Sequence, residues 1–253
     1  MKEKLYTIPL NDAVMADDEC PFCFIERKLE QDLMDFVLGN SASYMEADVR
    51  DMTDRAGFCR DHSRKMFEYG NTLGNAWILK THLMRLNKEM KQEMKHYSGH
   101  AGGGLFKSRT ASGKNNSLST WIQSKQDSCY ICNQFQEMYQ RSMDSFLNLY
   151  VKDSEFREKI LASKGFCLYH FSDLCEYAQS HLSDRERSGF FPPLFDLMSK
   201  NMDRIFEDVS WLVEKFDYRN ADADWKNSRD AIQRAMQKLK GGYPADPPYK
   251  MKK

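Results

Sequence analysis

The sequence lacks an excess of charge of either sign. Its 253 residues carry 37 lysines and arginines against 37 aspartates and glutamates, so the formal net charge is zero. A general binder of nucleic acid or anionic membranes needs a basic surplus, so this balance argues against nucleic acid as a partner. The chain also has no run of 18 or more apolar residues, and we therefore expect no membrane-spanning helix.

Targeting signals and familiar catalytic motifs are lacking too. The start of the chain, Met1–Tyr6, has neither the hydrophobic core nor the small-residue cleavage site of a secretory signal. We therefore predict a cytoplasmic location, where thiols stay reduced. No phosphate-binding glycine loop, Gly-x-Ser-x-Gly turn or His-Glu-x-x-His helix occurs. The absence of these motifs favours a protein without catalytic activity, but it does not exclude an enzyme.

Strand signals are nearly absent, whereas apolar residues recur at helical spacing along most of the chain. The predicted fold class is therefore all-α. One long helix is predicted over 184–216, with an interruption at Pro192–Pro193, because proline removes a helical hydrogen bond. A last helix is predicted over Asp224–Lys240, where it meets two glycines.

One pattern, Cys-x-x-Cys followed by Gly-Phe-Cys-x-x-His, occurs twice. Equivalent cysteines of the first half of the pattern are 109 residues apart, and equivalent residues of the second half are 108 apart. This spacing predicts an internal duplication of one helical module. The first copy holds Cys20, Cys23, Cys59 and His62, and the second holds Cys129, Cys132, Cys167 and His170.

The duplication suggests a domain organisation. A first metal-binding module is predicted over 1–97, and a second over 120–240 with additional C-terminal helices. Between them, 98–119 contains three consecutive glycines and many polar residues, which is typical of a flexible linker. The segment 241–253 holds three prolines and is predicted to be a mobile tail.

Each copy contains a complete ligand set for a soft metal, with three thiolates and one imidazole. A cysteine pair at a helix start is favoured as thiolate by free backbone N–H groups and by the helix dipole. Two helix N-termini would then converge on one ion, giving a closed Cys3His clamp in each module and two zinc ions per chain. Pairing within each copy is preferred, because each copy alone is complete. Pairing of Cys20 and Cys23 with Cys167 and His170 is the alternative.

Other interpretations of the cysteines stay open. Three cysteines and a histidine can also hold an iron–sulfur cluster, so two such clusters are the alternative cofactor. A dithiol redox or metal-relay role and plain core cysteines are further possibilities. The pair Cys20–Cys23, with Pro21 and Phe22 between, is similar to a glutaredoxin-type redox motif, but no βαβ pattern surrounds it. The seventh cysteine, Cys175, aligns with Phe67 and is predicted to be a core residue.

Two polar sets are not explained by metal binding. Their charges are typical of helix starts and surface ion pairs, which contribute little stability. The alternative is that they line a pocket or partner surface. The sets are Glu46, Asp48 and Arg50, and Asp217, Tyr218 and Arg219.

Several segments resemble a family of uncharacterised bacterial proteins, defined by a domain of unknown function. They are Tyr6–Asn11 before the first cysteine pair, Tyr44–Arg50 before Gly57–His62, and Lys215–Asn220. The resemblance covers nearly the whole chain and implies a stand-alone cytoplasmic protein. It implies no activity, because no reaction is established for the family.

The function predicted from these observations is that of a metal-stabilised helical binding or adaptor protein, with zinc as the metal. Its partner would be an unidentified protein or small molecule. The alternatives are an iron–sulfur redox protein or enzyme, and a thiol-based sensor of oxidants or metal.

Overall fold

A computed structural model of the chain describes residues 8–98 and 117–250. Within these ranges the chain forms eleven α-helices, two short 3-10 turns (Ser43–Met45 and Tyr218–Asn220) and no strand, so the all-α prediction is confirmed. The helices are α1 (Ile8–Met15), α2 (Pro21–Leu38), α3 (Ala47–Ala56), α4 (Arg60–Tyr69), α5 (Thr72–Ser98), α6 (Ser117–Gln126), α7 (Tyr130–Lys152), α8 (Ser154–Ala162), α9 (Leu168–His181), α10 (Asp184–Glu214) and α11 (Ala231–Lys240).

Several helices begin where the sequence supplies a capping group. Helix α10 begins with a capping box, in which Ser183 and Glu186 exchange side-chain and backbone hydrogen bonds. Helix α8 begins with Asp153, whose carboxylate accepts a hydrogen bond from the backbone N–H of Phe156. Cys167 occupies the same position before α9, so a predicted metal ligand also defines a helix start.

The interruption predicted at Pro192–Pro193 is wrong, because α10 runs unbroken from Asp184 to Glu214. Two interior prolines cost a helix about 3 kcal/mol each when nothing compensates. Here Phe190 and Leu194, on either side of the pair, are fully buried. Tertiary burial of this face holds the helix together where local propensity would end it.

The last helix is shorter than predicted, since α11 begins only at Ala231 rather than at Asp224. The preceding backbone has other hydrogen-bond partners. Lys215 donates to the carbonyls of Asn220 and Ala223 at 2.6 Å each, and the Trp211 indole N–H donates to the carbonyl of Asp224 at 2.9 Å. The carbonyl of Asp224, which a helix beginning there would use as an acceptor, is thus bound by a side chain.

The described residues divide into two compact units. Unit 1 consists of the described residues up to Leu29 together with Glu137–Pro247, and unit 2 consists of Glu30–Gln136 with the residues from Pro248 onward. Each unit therefore takes helices from both halves of the sequence, and its boundaries differ from those of the predicted modules 1–97 and 120–240. Most of the predicted linker 98–119 lies outside the described residues, and its last residues begin α6.

Unit 1 has an aromatic core. In it α10 packs against α8, α9 and α11, and α1 packs against α8. Phe22 lies with its ring centroid 5.2 Å from that of Phe146 and 5.9 Å from that of Phe166. Tyr150 and Phe190 extend this cluster, with centroids 4.8 Å apart. Phe22 and Phe166 belong to the repeated cysteine pattern, so the predicted ligands are anchored directly to this core.

Unit 2 has an aliphatic core, with hydrogen bonds between side chains at its edge. In it α5 packs against α3, α4 and α6. The Tyr69 hydroxyl donates a hydrogen bond to Asp35 at 2.7 Å, and Thr81 donates to Asp54 at 2.6 Å. The buried side chains include Leu33, Met34, Val37, Val49, Met66, Ile78 and Ile131.

The segment after α11 is held in place by side chains. Within unit 1, Arg27 forms an ion pair with Asp246 at 3.2 Å. Within unit 2, Tyr249 is buried and its hydroxyl donates a hydrogen bond to Glu30 at 2.5 Å. The tail predicted to be mobile over 241–253 therefore makes defined contacts in its described part. No helix among the described residues is long and apolar enough to cross a bilayer.

The aromatic core of unit 1 gives the first testable prediction. Phe146 is 1% exposed and contacts four other aromatic rings, so Phe146→Ala should lower the free energy of unfolding by about 3–5 kcal/mol. The matched control is Phe206→Ala, because Phe206 is 72% exposed and its loss should change stability by at most about 0.5 kcal/mol. Denaturant titration measures both. Similar losses for the two variants would contradict the assigned core.

Candidate metal centres

The eight predicted ligands form two clusters, each with three cysteines and one histidine. The cluster called site A lies in unit 1 and consists of Cys20, Cys23, Cys167 and His170. The cluster called site B lies in unit 2 and consists of Cys59, His62, Cys129 and Cys132. Within each cluster all four ligand atoms lie within 4.8 Å of one another.

The pairing of the ligands differs from the preferred prediction. Each site combines the Cys-x-x-Cys of one copy with the Cys-x-x-His of the other, so pairing within each copy is wrong and the cross-copy alternative is correct. The physical reason is the packing between the two copies. The Phe22 ring lies 5.9 Å from that of Phe166, and the backbone N–H of Tyr130 donates to the carbonyl of Gly57 at 2.9 Å. Each Cys-x-x-Cys therefore meets the Gly-Phe-Cys-x-x-His segment of the other copy.

Site A is built from two helix starts. Cys20 and Cys23 flank the first residues of α2, and Cys167 and His170 flank the first turn of α9. The Nδ1 atom of His170 lies 3.4 Å from the sulfur of Cys20, 3.5 Å from that of Cys23 and 3.1 Å from that of Cys167. The sulfurs of Cys23 and Cys167 are 3.7 Å apart. All four residues are buried.

Site B has the same plan at the starts of α4 and α7. The Nδ1 atom of His62 lies 3.2 Å from the sulfur of Cys59 and 3.3 Å from each sulfur of Cys129 and Cys132. The sulfurs of Cys59 and Cys132 are 3.9 Å apart. The backbone N–H of Tyr130 donates to the carbonyl of Gly57 at 2.9 Å and so joins the two ligand segments.

These distances fit one tetrahedral ion per site. Bonds of about 2.3 Å to sulfur and about 2.0 Å to nitrogen at tetrahedral angles place sulfurs about 3.8 Å apart, and sulfur about 3.5 Å from nitrogen. The measured sulfur–sulfur distances are 3.7 and 3.9 Å, and the sulfur–nitrogen distances lie between 3.1 and 3.5 Å. Both clusters can therefore hold a metal ion with four protein ligands.

A carboxylate supports the histidine of site A. Glu26 Oε1 lies 3.1 Å from Nε2 of His170, which leaves Nδ1 directed at the three sulfurs. Burial opposes a charged imidazole, but interactions with Cys167, Cys23 and Glu26 outweigh it and raise the pKa of His170 to about 12. Hydrogen bonds from Cys20 and Cys23 hold the pKa of Cys167 far below its usual value. Cys167 is therefore favoured as thiolate, the form of cysteine that binds metal, whereas burial raises the pKa of the Cys20 thiol.

A second carboxylate supports the histidine of site B. Glu30 Oε1 lies 2.8 Å from Nε2 of His62, and Lys65 and Tyr249 also bond this carboxylate at 2.5 Å each. Burial would raise the pKa of Glu30, but these three partners lower it to about 2. Burial also opposes a charged His62, yet bonds with Cys129 and Glu30 raise the pKa of His62 to about 10.

Sequence reasoning missed Glu26 and Glu30. Both lie on α2, four residues apart and therefore on one helix face, shortly after the first cysteine pair. That spacing was a usable signal, because metal-bound histidines usually pair their second nitrogen with a carboxylate. Comparison of the two copies does not reveal these carboxylates, because the equivalent positions in the second copy are Phe135 and Tyr139.

Site A has an additional outer support from α11. Lys238 is fully buried and donates hydrogen bonds of 2.6 Å to the carbonyls of Glu19 and Lys164. These residues lie just before the two ligand segments of the site, so one ammonium group joins both. The backbone N–H of Gly242, just after α11, donates to the sulfur of Cys23 at 3.3 Å. Such N–H groups favour the thiolate form.

The seventh cysteine, Cys175, belongs to neither cluster. It is half-buried on α9 rather than packed in the core, and its repeat equivalent Phe67 is 82% exposed. The buried stripe of α9 runs through Leu174 and Ala178, and Cys175 lies beside that stripe. The prediction of a core residue is therefore wrong, while its exclusion from the ligand set agrees with the clusters found.

The first polar set lies at the start of α3 in unit 2. Glu46 is the N-cap residue and Asp48 is in the first turn, and both are exposed. Arg50 is half-buried one turn further along the helix. Acidic groups at this end of a helix are favoured by its dipole.

The second polar set lies at the 3-10 turn after α10 in unit 1. Asp217 accepts hydrogen bonds from the backbone N–H of Arg219 at 2.9 Å and from its guanidinium at 3.1 Å. Tyr218 is 87% exposed. The local Asp217–Arg219 pair caps the turn, and a role of either set in binding stays a prediction.

The ligand pairing can be tested by counting metal ions in double variants. Cys20→Ser with Cys167→Ser should leave one ion per chain, because both ligands serve site A. Cys20→Ser with Cys59→Ser should leave none, because each removes a ligand of a different site. Elemental analysis after dialysis against a competing chelator measures the count. Cys175→Ser is the control and should retain two ions. The opposite result for the two double variants would support pairing within each copy.

The carboxylates can be tested separately. Glu26→Gln should weaken metal binding at site A and Glu30→Gln at site B, each by about 10- to 100-fold, because the imidazole loses its anionic partner. Competition with a chromophoric chelator measures the affinities. Glu158→Gln, at an exposed position of α8, is the matched control. Equal affinities in all three variants would show that the carboxylates do not support the sites.

Comparison with known proteins supplies a family and no activity. No curated protein and no solved structure matches the chain. A family model described as a family of unknown function, DUF6062, matches residues 1–246. This range includes all eight ligands of sites A and B. The chain therefore belongs to the DUF6062 family of unknown function.

Proposed function

We propose that sites A and B each hold one zinc ion, and that the protein is a zinc-stabilised helical binding or adaptor protein without catalysis. The observation that carries the proposal is the closed geometry of each cluster, with four ligand atoms within 4.8 Å of one another. Three thiolates and one imidazole in this arrangement are typical of structural zinc. A partner, either a protein or a small molecule, belongs to the proposal.

The closed geometry also supports a structural role for the metal. A catalytic zinc keeps one position for water or substrate, whereas here every position of a tetrahedral ion has a protein ligand. Each ion would join two helix starts, α2 with α9 in unit 1 and α4 with α7 in unit 2. Binding of zinc to such a set contributes on the order of 10–16 kcal/mol in small zinc modules, which is comparable with the stability of a whole domain.

The ligand spacing favours a single ion over an iron–sulfur cluster. Cysteines that hold a cluster bind different iron atoms, so the cluster core separates their sulfurs. In both sites, measured sulfur–sulfur distances of 3.7 and 3.9 Å correspond to ligands of the same ion. A cytoplasmic location also belongs to the proposal, because cysteines that serve as metal ligands need a compartment that keeps thiols reduced.

Metal analysis tests the identity of the ion. Protein purified anaerobically without added metal should be colourless and contain two zinc ions per chain, and a strong chelator should reduce its helicity. Brown protein with broad absorption near about 400 nm would instead indicate iron–sulfur clusters. Fewer than one metal atom per chain, with helicity unchanged by the chelator, would contradict the proposal.

Cobalt substitution tests whether the sites are closed. Cobalt(II) in a tetrahedral thiolate site is strongly coloured, and the colour responds to a new ligand. Addition of azide or imidazole should leave the spectrum of the cobalt form unchanged, because no position is open. A spectral change at millimolar azide would indicate an exchangeable position and would favour a catalytic metal.

A further inference from the structure

Sites A and B share their ligand chemistry but differ in access to solvent. The three cysteines of site A are between 0 and 5% exposed. In site B, Cys129 is buried, Cys59 is half-buried and Cys132 is exposed. Both sites lie at helix N-termini and carry the same kinds of ligand, but reagents can reach sulfur only at site B.

The two accessible sulfurs of site B are also neighbours. Sγ of Cys59 and Sγ of Cys132 lie 3.9 Å apart, close to van der Waals contact. A thiolate that meets a peroxide is oxidised only if the peroxide reaches it, and a neighbouring thiol then converts the product into a disulfide. Site B has both features, an exposed sulfur and a second sulfur beside it.

We propose that site B is an oxidant-responsive metal site, at which a hydroperoxide converts Cys59 and Cys132 to a disulfide and releases the ion. Site A retains its ion under the same conditions. This inference rests on the proposed function, because it requires that zinc occupies both sites.

The reaction balances with hydrogen peroxide as the oxidant. The sulfur of Cys132 attacks one peroxide oxygen, so an S–O bond forms, the O–O bond breaks and the leaving hydroxide takes a proton to become water. The sulfur of Cys59 then attacks the sulfur of Cys132, and the S–O bond breaks to release a second water. In sum, two thiolates, one hydrogen peroxide and two protons give one disulfide and two waters, and the two electrons lost by the sulfurs reduce the peroxide.

Loss of the ion follows from loss of its ligands. A disulfide sulfur carries no negative charge, so the ion would keep only Cys129 and His62 of its four ligands. The disulfide joins the N-cap of α4 to the first turn of α7, the same two helix starts that the ion joins. A covalent link thus replaces the metal link in unit 2, and reduction with added zinc restores the original state.

The test uses full-length Cys175→Ser protein loaded with zinc, which removes the thiol outside both sites. Hydrogen peroxide is added stepwise, released zinc is followed with a chromophoric chelator, and cysteines are located by differential alkylation and peptide mass mapping. One zinc ion per chain should leave at least about tenfold faster than the other, with formation of a Cys59–Cys132 disulfide. A dithiol reductant and zinc should restore two ions.

Matched variants assign the faster step to one residue. Cys132→His keeps four possible zinc ligands but removes the exposed thiol, so its site B ion should persist as long as the site A ion. Cys23→His makes the same exchange in site A and should leave fast release unchanged. If Cys132→His binds fewer than two ions before oxidation, the disulfide map of the Cys175→Ser protein decides alone.

The outcomes separate this inference from the proposed function. Fewer than two zinc ions in the Cys175→Ser protein before peroxide would contradict the proposed function itself. Two ions at the start, followed by release from both sites at equal rates or first from site A, would overturn the inference only. A disulfide between Cys129 and Cys132 would also overturn it, because the accessible Cys59 would then have no part in the reaction.

Discussion

Both units depend on the convergence of two helix N-termini at one set of three sulfurs and one imidazole nitrogen. Between the two ligand segments, the contacting ligands of site A are 144 to 150 residues apart in sequence, and those of site B are 67 to 73 apart. Closing such long loops costs conformational entropy, although the cost grows only slowly with length. A metal bond that closes them can offset much of this cost, because the unfolded chain has no preformed site.

The surroundings of the two sites differ more than their ligands do. Site A lies against the aromatic core of unit 1, where the His170 ring is 5.8 Å from that of Phe22. It also has Lys238 and Gly242, which come from the chain after the second copy of the repeat. Site B is held by Glu30 and by the chain near Tyr249, and two of its three cysteines, Cys59 and Cys132, are accessible to solvent. The C-terminal residues therefore protect one site more than the other.

The sequence was sufficient for the helical class and for the eight cysteines and histidines that form the two clusters, because helical periodicity and Cys/His spacing are local signals. It did not determine which cysteine pair meets which histidine, since both pairings give complete Cys3His sets and only tertiary packing distinguishes them. The same limit explains Pro192 and Pro193, where burial of Phe190 and Leu194 overrides a local helix-breaking signal. Glu26 and Glu30 were missed because their role depends on contacts that the repeat does not share.

Ligand identity and ligand access control different properties of a metal site. The Cys3His set determines which ion fits, and in this respect sites A and B are equivalent. Access of solvent to sulfur determines how fast the set can be altered by oxidants. Because the cysteines of site A are buried and Cys132 is exposed, one chain combines a protected set with an accessible one. A stable link in unit 1 can therefore coexist with a reversible link in unit 2, although the two sites have the same ligands.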